Sequence, residues 1–226
     1  MQMHLPSGLA PAVRAERRHA PVPVMPEEIL DSCSLASLQL GGPTLRSLGI
    51  TSAIRGEGRT TIALAMTLVQ RQDYDRRPLL IEMDVEHPCL GRRLGLRTSP
   101  GLSEVVRGQA TLDDAIQWID GIRVVTAGAS LGRPDRVIVE LVASDVLSRL
   151  GEGCDVIIAD LPAVTGCSFA ALAAGTVASL LLVVRAGVTP AARIREAVAD
   201  LPLPPAVLLN GTEPLRGERR RPRPKV

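Results

Sequence analysis

An α/β domain with a mostly parallel sheet between two layers of helices is the fold this sequence predicts, and three observations predict it. Short uninterrupted apolar runs recur along the chain, helical segments with apolar residues at three-to-four spacing separate them, and several runs end on a polar residue. Apolar runs of strand length suit strands buried on both faces, the condition of a parallel sheet. Polar groups at the strand ends then collect along the carboxyl edge, where open α/β sheets bind ligands. The 226 residues, 46% hydrophobic, suffice for one large domain with a full core.

Residues 1–26 carry Pro6, Pro11, Pro21, Pro23 and Pro26 beside Arg14, Arg17 and Arg18, with no sustained apolar period. This composition predicts a disordered arm. The folded domain is expected over 27–215. Within it, Leu48 to Ala53, Pro78 to Met83, Ile122 to Thr126, Val156 to Ala159, Leu180 to Val184 and Ala206 to Leu209 read as buried strands. Thr60 to Gln72, Leu112 to Ile119, Pro134 to Leu150 and Pro190 to Leu201 read as helices, with Pro134 and Pro190 near helix starts. Alternation of the two gives a three-layer domain with right-handed crossovers. Residues 216–226 hold six basic residues, two prolines and one acid, and read as a basic disordered tail.

Composition removes several function classes. Trp118, Tyr74 and Phe169 are the only aromatic residues, too few for a base-stacking surface or a membrane belt, and no apolar run is long enough to cross a bilayer. A net charge of +2 gives no global attraction to a polyanion. Cys33, Cys89, Cys154 and Cys167 form no metal-ligand spacing, so buried reduced cysteines of a cytosolic protein are expected. The sole lysine is Lys225, near the end of the chain, which leaves arginine to serve wherever the domain needs a cation.

The strongest motif follows the first apolar run. Leu48 to Ser52 leads through Arg55, Gly56, Glu57, Gly58, Arg59, Thr60 and Thr61 into an amphipathic helix. Strand, glycine-rich turn, cation, hydroxyl and helix is the order a phosphate cradle requires. Glycines let the backbone approach the ligand, and loop amides with the helix N-terminus attract the anion. The spacing is that of G-x-x-x-x-G-K-[ST], with Ala53 in place of the first Gly and Arg59 in place of Lys. A plain Gly/Arg turn is the competing reading of this segment alone. Two acidic strand ends shift the balance: Glu82 with Asp84, and Asp160, supply the carboxylates that a magnesium–nucleotide site uses.

The loop 55–61, the segment Leu79 to Leu90, the stretch Gly101 to Gly108 and the run Asp155 to Val164 resemble the cytoplasmic domain of bacterial tyrosine kinases of capsule and exopolysaccharide synthesis. Those kinases are deviant-Walker P-loop ATPases, alongside septum-positioning and plasmid-partition ATPases, and the resemblance covers roughly residues 27–210. It implies ATP and Mg²⁺ as cofactors. Arg55 to Thr61 would form the nucleotide loop and Asn210 would contact the base. Arg59, Glu82, Asp84 and Asp160 would be catalytic, with Thr60, Asp84 and Asp160 on the metal.

The resemblance further implies a membrane-embedded polysaccharide chain-length regulator or kinase activator as partner, and a cytoplasmic location at the inner face of the membrane through that partner. No sequence-specific nucleic acid is expected. The departures from the kinase pattern are Arg59 for Lys, Glu82 for Asp, no tyrosine cluster near the end of the chain, and no Arg in the stretch near 27–38 where self-association contacts would lie. They keep two alternatives open: a degenerate nucleotide-binding scaffold, and a partition or positioning ATPase. Arg76, Arg77, Arg92, Arg93 and Arg97 read as a solvated basic face, His87 as structural, and Glu140, Asp145 and Glu152 as a wet helix face.

Overall fold

The computed structural model describes residues 23–129 and 132–211. The calls for a basic tail over 216–226 and for most of the arm over 1–26 fall outside them. In chain order the elements are α1 (Glu27–Gln39), a short 3-10 turn (Gly42–Thr44), β1 (Ser47–Ser52), α2 (Arg59–Gln72), β2 (Pro78–Glu82), α3 (Leu90–Leu94), α4 (Leu102–Val106), α5 (Leu112–Ala115), β3 (Gln117–Ile119) and β4 (Ile122–Val125). They continue with α6 (Pro134–Ala143), α7 (Val146–Gly151), β5 (Val156–Asp160), α8 (Ala170–Ala174), β6 (Ser179–Arg185), α9 (Ala191–Asp200) and β7 (Ala206–Asn210).

The seven strands form one sheet in the order β3-β4-β2-β5-β1-β6-β7. Every neighbouring pair is parallel except β3 with β4. Successive strand side chains point to opposite faces, and the sheet accordingly separates two cores. Leu48, Ile50, Leu80, Ile158, Leu181 and Val183 pack with Met66, Val69 and Cys33 under α1 and α2. Leu79, Ile81, Ala159, Leu182 and Val184 pack on the other face with Ile138 and Leu141 of α6, Ala173 of α8 and Ala197 of α9. Burial on both faces explains why β1, β2, β5 and β6 read as continuous apolar runs.

Three expectations are corrected. Gln117 to Ile119 is a strand rather than the end of a helix. Asp120 and Gly121 take positive φ, 49° and 78°, as a two-residue hairpin with right-handed strand twist requires, and Ile119 pairs with Ile122 across it. The helix expected over 134–150 is two helices. Ser144 is extended, and its hydroxyl accepts the Val146 N–H at 3.4 Å, a side-chain bond that competes with the helical ladder. At β7 the burial is one-sided, because the strand lies at the sheet edge: Val207 and Leu209 are 54% and 58% exposed.

Arg76 is also not part of a solvated face. It is buried, with its guanidinium donating to Gln70 Oε1 at 2.8 Å and to the Asp155 carbonyl, while Gln70 Nε2 donates to Ser37 Oγ at 2.8 Å. This chain of polar contacts joins α1 and α2 to the starts of β2 and β5. Arg77 remains exposed and holds Asp155 at 2.9 Å.

Gly101, which opens α4, runs against the backbone that follows β4. Leu102 and Ser103 donate to the Thr126 and Ala127 carbonyls at 2.8 and 3.0 Å, and a Cβ on Gly101 would lie 2.4 Å from both Thr126 O and Gly128 N. Neither backbone atom can rotate away. Gly101→Ala is therefore expected to destabilise the domain by about 1–3 kcal/mol, read as a fall in denaturant midpoint with unchanged slope. A midpoint equal to wild type would show that α4 is not held at this distance.

Candidate active site

The carboxyl ends of β1, β2 and β5 meet beneath the loop that joins β1 to α2. Gly58 adopts φ +97° in that loop, a conformation that strains any other residue, and a Cβ there would stand 2.3 Å from Asn210 Nδ2 and displace that amide. Asn210 Nδ2 donates to the Glu57 carbonyl at 2.8 Å. The Glu57 side chain is 1% exposed and turned away from solvent: its carboxylate accepts from Ile54 N–H and Arg185 N–H, each at 2.8 Å, and from the Thr189 hydroxyl. Glu57 and Asn210 thus brace the loop from the β6 and β7 side, leaving Arg55, Gly56, Gly58, Arg59 and Thr60 facing a cavity of about 670 Å³.

Arg59 opens α2 and is only 8% exposed. Its guanidinium donates to Asp84 Oδ2 at 2.5 Å and to the Leu161 carbonyl at 2.6 Å. The other Asp84 oxygen accepts the His87 N–H at 3.0 Å. Asp84 is therefore paired with a cation already present in the chain.

Glu82 and Asp160 lie opposite each other in the β2–β5 ladder. Glu82 is buried and spans two elements: Oε1 accepts Cys89 and Leu90 N–H at 2.5 and 2.7 Å, and Oε2 accepts Ala127 N–H at 3.1 Å. Burial raises its pKa against those backbone donors. These bonds make Glu82 a brace between α3 and the end of β4. Asp160 is 1% exposed and its Oδ1 has no partner. Burial pushes its carboxyl up to about 7, with Arg59 and the Thr60 hydroxyl acting in the opposite direction.

The cavity brings in residues that the motif reading did not use. Cys89 reaches the Thr60 hydroxyl at 3.4 Å, and Arg93 donates to Thr61 Oγ1 at 3.1 Å. Arg92, Arg93 and His87 are exposed and line the cavity wall opposite the loop, with Thr126, Gly128 and Ala129 completing it. The motif at 55–61 names only one wall; the other is made by chain that returns from α3 and β4.

Sheet order, loop and carboxylate placement define a P-loop ATPase fold. Among solved structures, the chain matches the kinase domain of VpsO with a TM-score of 0.74 and 25% identity over 82% of this chain and 95% of that one. It also matches the cell division ATPase MinD of Pyrococcus furiosus, with a TM-score of 0.55 and 26% identity over 72% and 69% of the two chains. No protein-family model matches.

The curated relatives are tyrosine kinases and a transport protein. The chain is 28% identical over 109 residues to tyrosine-protein kinase Ptk of Acinetobacter johnsonii, covering 47% of this chain and 15% of that one. It is 29% identical over 164 residues to tyrosine-protein kinase YwqD of Bacillus subtilis, covering 69% and 67%. With the succinoglycan biosynthesis transport protein ExoP of Rhizobium meliloti it shares 30% over 181 residues, covering 73% and 21%. The chain's homologues are therefore bacterial tyrosine-protein kinases, and it carries the fold of their kinase domain while spanning only part of their length.

The Asp160 environment has a measurable consequence. Its folded pKa of about 7 exceeds the ordinary carboxylate value of 3.8, so between those values the folded state holds a proton that the unfolded state has lost. Stability then falls as pH rises through this window and levels off above it. Asp160→Asn removes that loss. The stability advantage of the variant over wild type is expected to grow from pH 4 to 7 and stay constant above, followed by melting temperature; an advantage independent of pH would contradict the burial of an ionisable Asp160.

Proposed function

We propose that this chain is a Mg-ATP-binding domain resembling the tyrosine kinases of polysaccharide synthesis, with phosphoryl transfer at the cavity beside the 55–61 loop. The observation that carries the reading is the convergence of the loop, Arg59, Asp84 and Asp160, whose Oδ1 has no hydrogen-bond partner, at one sheet edge. Loop amides and Arg59 would bind the phosphates, and Thr60, Asp84 and Asp160 would hold the metal. A buried acceptor without a hydrogen bond is costly, and a cation beside Asp160 Oδ1 removes that cost, so these residues fit magnesium. A magnesium ion held there supplies charge neutralisation on the phosphates.

Asp84, once free of Arg59, would accept the proton of an attacking hydroxyl. Glu82 is in reach of the same edge, but its bonds to three backbone N–H groups make it a support for Asp84 and α3. Electrostatic positioning would provide most of the rate.

The name of the succinoglycan biosynthesis transport protein supports a role in exopolysaccharide synthesis; a role in capsule synthesis, a membrane-embedded chain-length regulator or kinase activator as partner, and a cytoplasmic location at the membrane's inner face are part of the proposal. No helix among the described residues is long and apolar enough to cross a membrane. Leu35 and Leu38 of α1, both exposed, offer an apolar surface for self-association.

A specific observation favours a second reading, a regulator that binds nucleotide without turnover: Arg59 stands where the loop pattern has Lys and is held by Asp84. Mg-ATP affinity and phosphate release of wild type and Arg59→Ala test the first reading. We expect at least about a tenfold loss of affinity, the scale of a charge-assisted contact to phosphate, and equal binding would remove the loop assignment. Arg59→Lys separates the two readings: a large gain in turnover supports the degraded site, whereas loss of existing turnover shows a loop adapted to arginine.

A further inference from the structure

α3 brings a cation to the nucleotide cavity from outside the 55–61 loop. Arg93 lines the cavity, and its Nη1 donates to Thr61 Oγ1 at 3.1 Å, across the gap between α3 and the first turn of α2. We propose that Arg93 is a second phosphate-binding cation, engaging the innermost phosphate of the nucleotide beside Thr61. The proposal rests on the reading of the cavity as a Mg-ATP site, and it adds a residue that the loop motif does not contain.

The fold fixes where α3 can hold this side chain. Glu82 Oε1 accepts the Cys89 and Leu90 N–H groups at the helix start. Leu90 and Leu94, four residues apart and so on one helix face, belong to the same buried core as Ile62 and Met66 of α2. Gly91 permits a close approach on another side: a Cβ there would stand 3.0 Å from Thr98 Cγ2 and 3.2 Å from Thr126 Cγ2. Arg92 and Arg93 are left exposed. Arg92 turns back on its own helix start and donates to the Pro88 carbonyl at 3.2 Å. Arg93 instead crosses to α2.

Electrostatics make that crossing informative. The first turn of a helix carries the positive end of its dipole, where a cation is disfavoured and an anion is held. Arg93 nevertheless sits there without a counter-charge: it forms no ion pair with another described residue, and its partner Thr61 is a neutral hydroxyl. The loop's own cation, Arg59, is already paired with Asp84. An anion between Arg93 and the start of α2 satisfies both positive groups at once. In a loop of this spacing the cation and the first hydroxyl serve the outer phosphates and the metal, which assigns those roles to Arg59 and Thr60. Thr61, one residue further along α2, is left for the phosphate nearest the ribose.

Calorimetry of Mg-ATP and Mg-ADP binding to the full chain tests the assignment. Arg93→Ala is expected to weaken both at least about tenfold and by the same factor, the scale of a charge-assisted bond to phosphate, because both nucleotides carry the inner phosphate. Arg93→Lys keeps the charge without the planar fork and should recover part of the loss. The melting temperatures of the ligand-free variants are expected not to fall below that of wild type. Unchanged affinity in Arg93→Ala, a loss confined to Mg-ATP, no recovery in Arg93→Lys, or a melting temperature that falls in step with affinity would each overturn the role of Arg93 and leave the Mg-ATP reading intact. Absence of nucleotide binding by wild type would remove that reading and this assignment together.

Discussion

Arg59 is a cation placed at the wrong end of a helix. As the first residue of α2 it sits where the helix dipole is positive, and it is almost wholly buried. A buried charge persists only where it is paired and hydrogen-bonded. Asp84 and the Leu161 carbonyl meet both conditions at 2.5 and 2.6 Å. The guanidinium thereby ties the start of α2 to the chain after β2 and the chain after β5. Lysine, with one compact ammonium group, does not present two divergent planar donors in this way. The geometry of the loop and of both acidic strand ends depends on that fork.

Around this one cation stand three buried acidic side chains, each with its charge managed differently. Asp84 is paired with Arg59, and Glu82 is surrounded by backbone N–H donors. Asp160 has least support, and burial moves its pKa up to about 7. Strand register makes the crowding unavoidable, because Glu82 and Asp160 are opposite one another on adjacent parallel strands. The arrangement has an excess of acidic groups over basic ones in its interior, and that excess is what gives the edge its demand for an external cation.

The elements that rest on local pattern were legible in the sequence. Runs such as Leu79 to Ile81 and Leu180 to Val184 are buried on both faces, so their composition announces central parallel strands. The loop and its acidic strand ends were legible because backbone conformation and metal chemistry each demand particular residue types. Glu57 was legible only as a loop member; that its carboxylate binds Arg185 N–H, 128 residues away, depends on β6 lying beside β1, which no local pattern encodes. Cys89 was passed over for the same reason, since its proximity to Asp160 is a product of the fold. Gln117 to Ile119 was legible and misread: Asp120-Gly121 is a strong hairpin signal that three-to-four apolar spacing obscured.

The pairing of Arg59 with Asp84 constrains how any anion enters. Phosphate oxygens that approach along the Asp84 side of the guanidinium compete with that carboxylate for the fork, while its other bond stays with the Leu161 carbonyl. Displaced from Arg59, Asp84 keeps the His87 N–H but loses its counter-charge, and the site's demand for a cation rises. Binding of an anion and binding of a cation are thus coupled through one side chain, and thermodynamic reciprocity makes the coupling equal in both directions. The same exchange turns a contact that stabilises the ligand-free fold into a cost of binding.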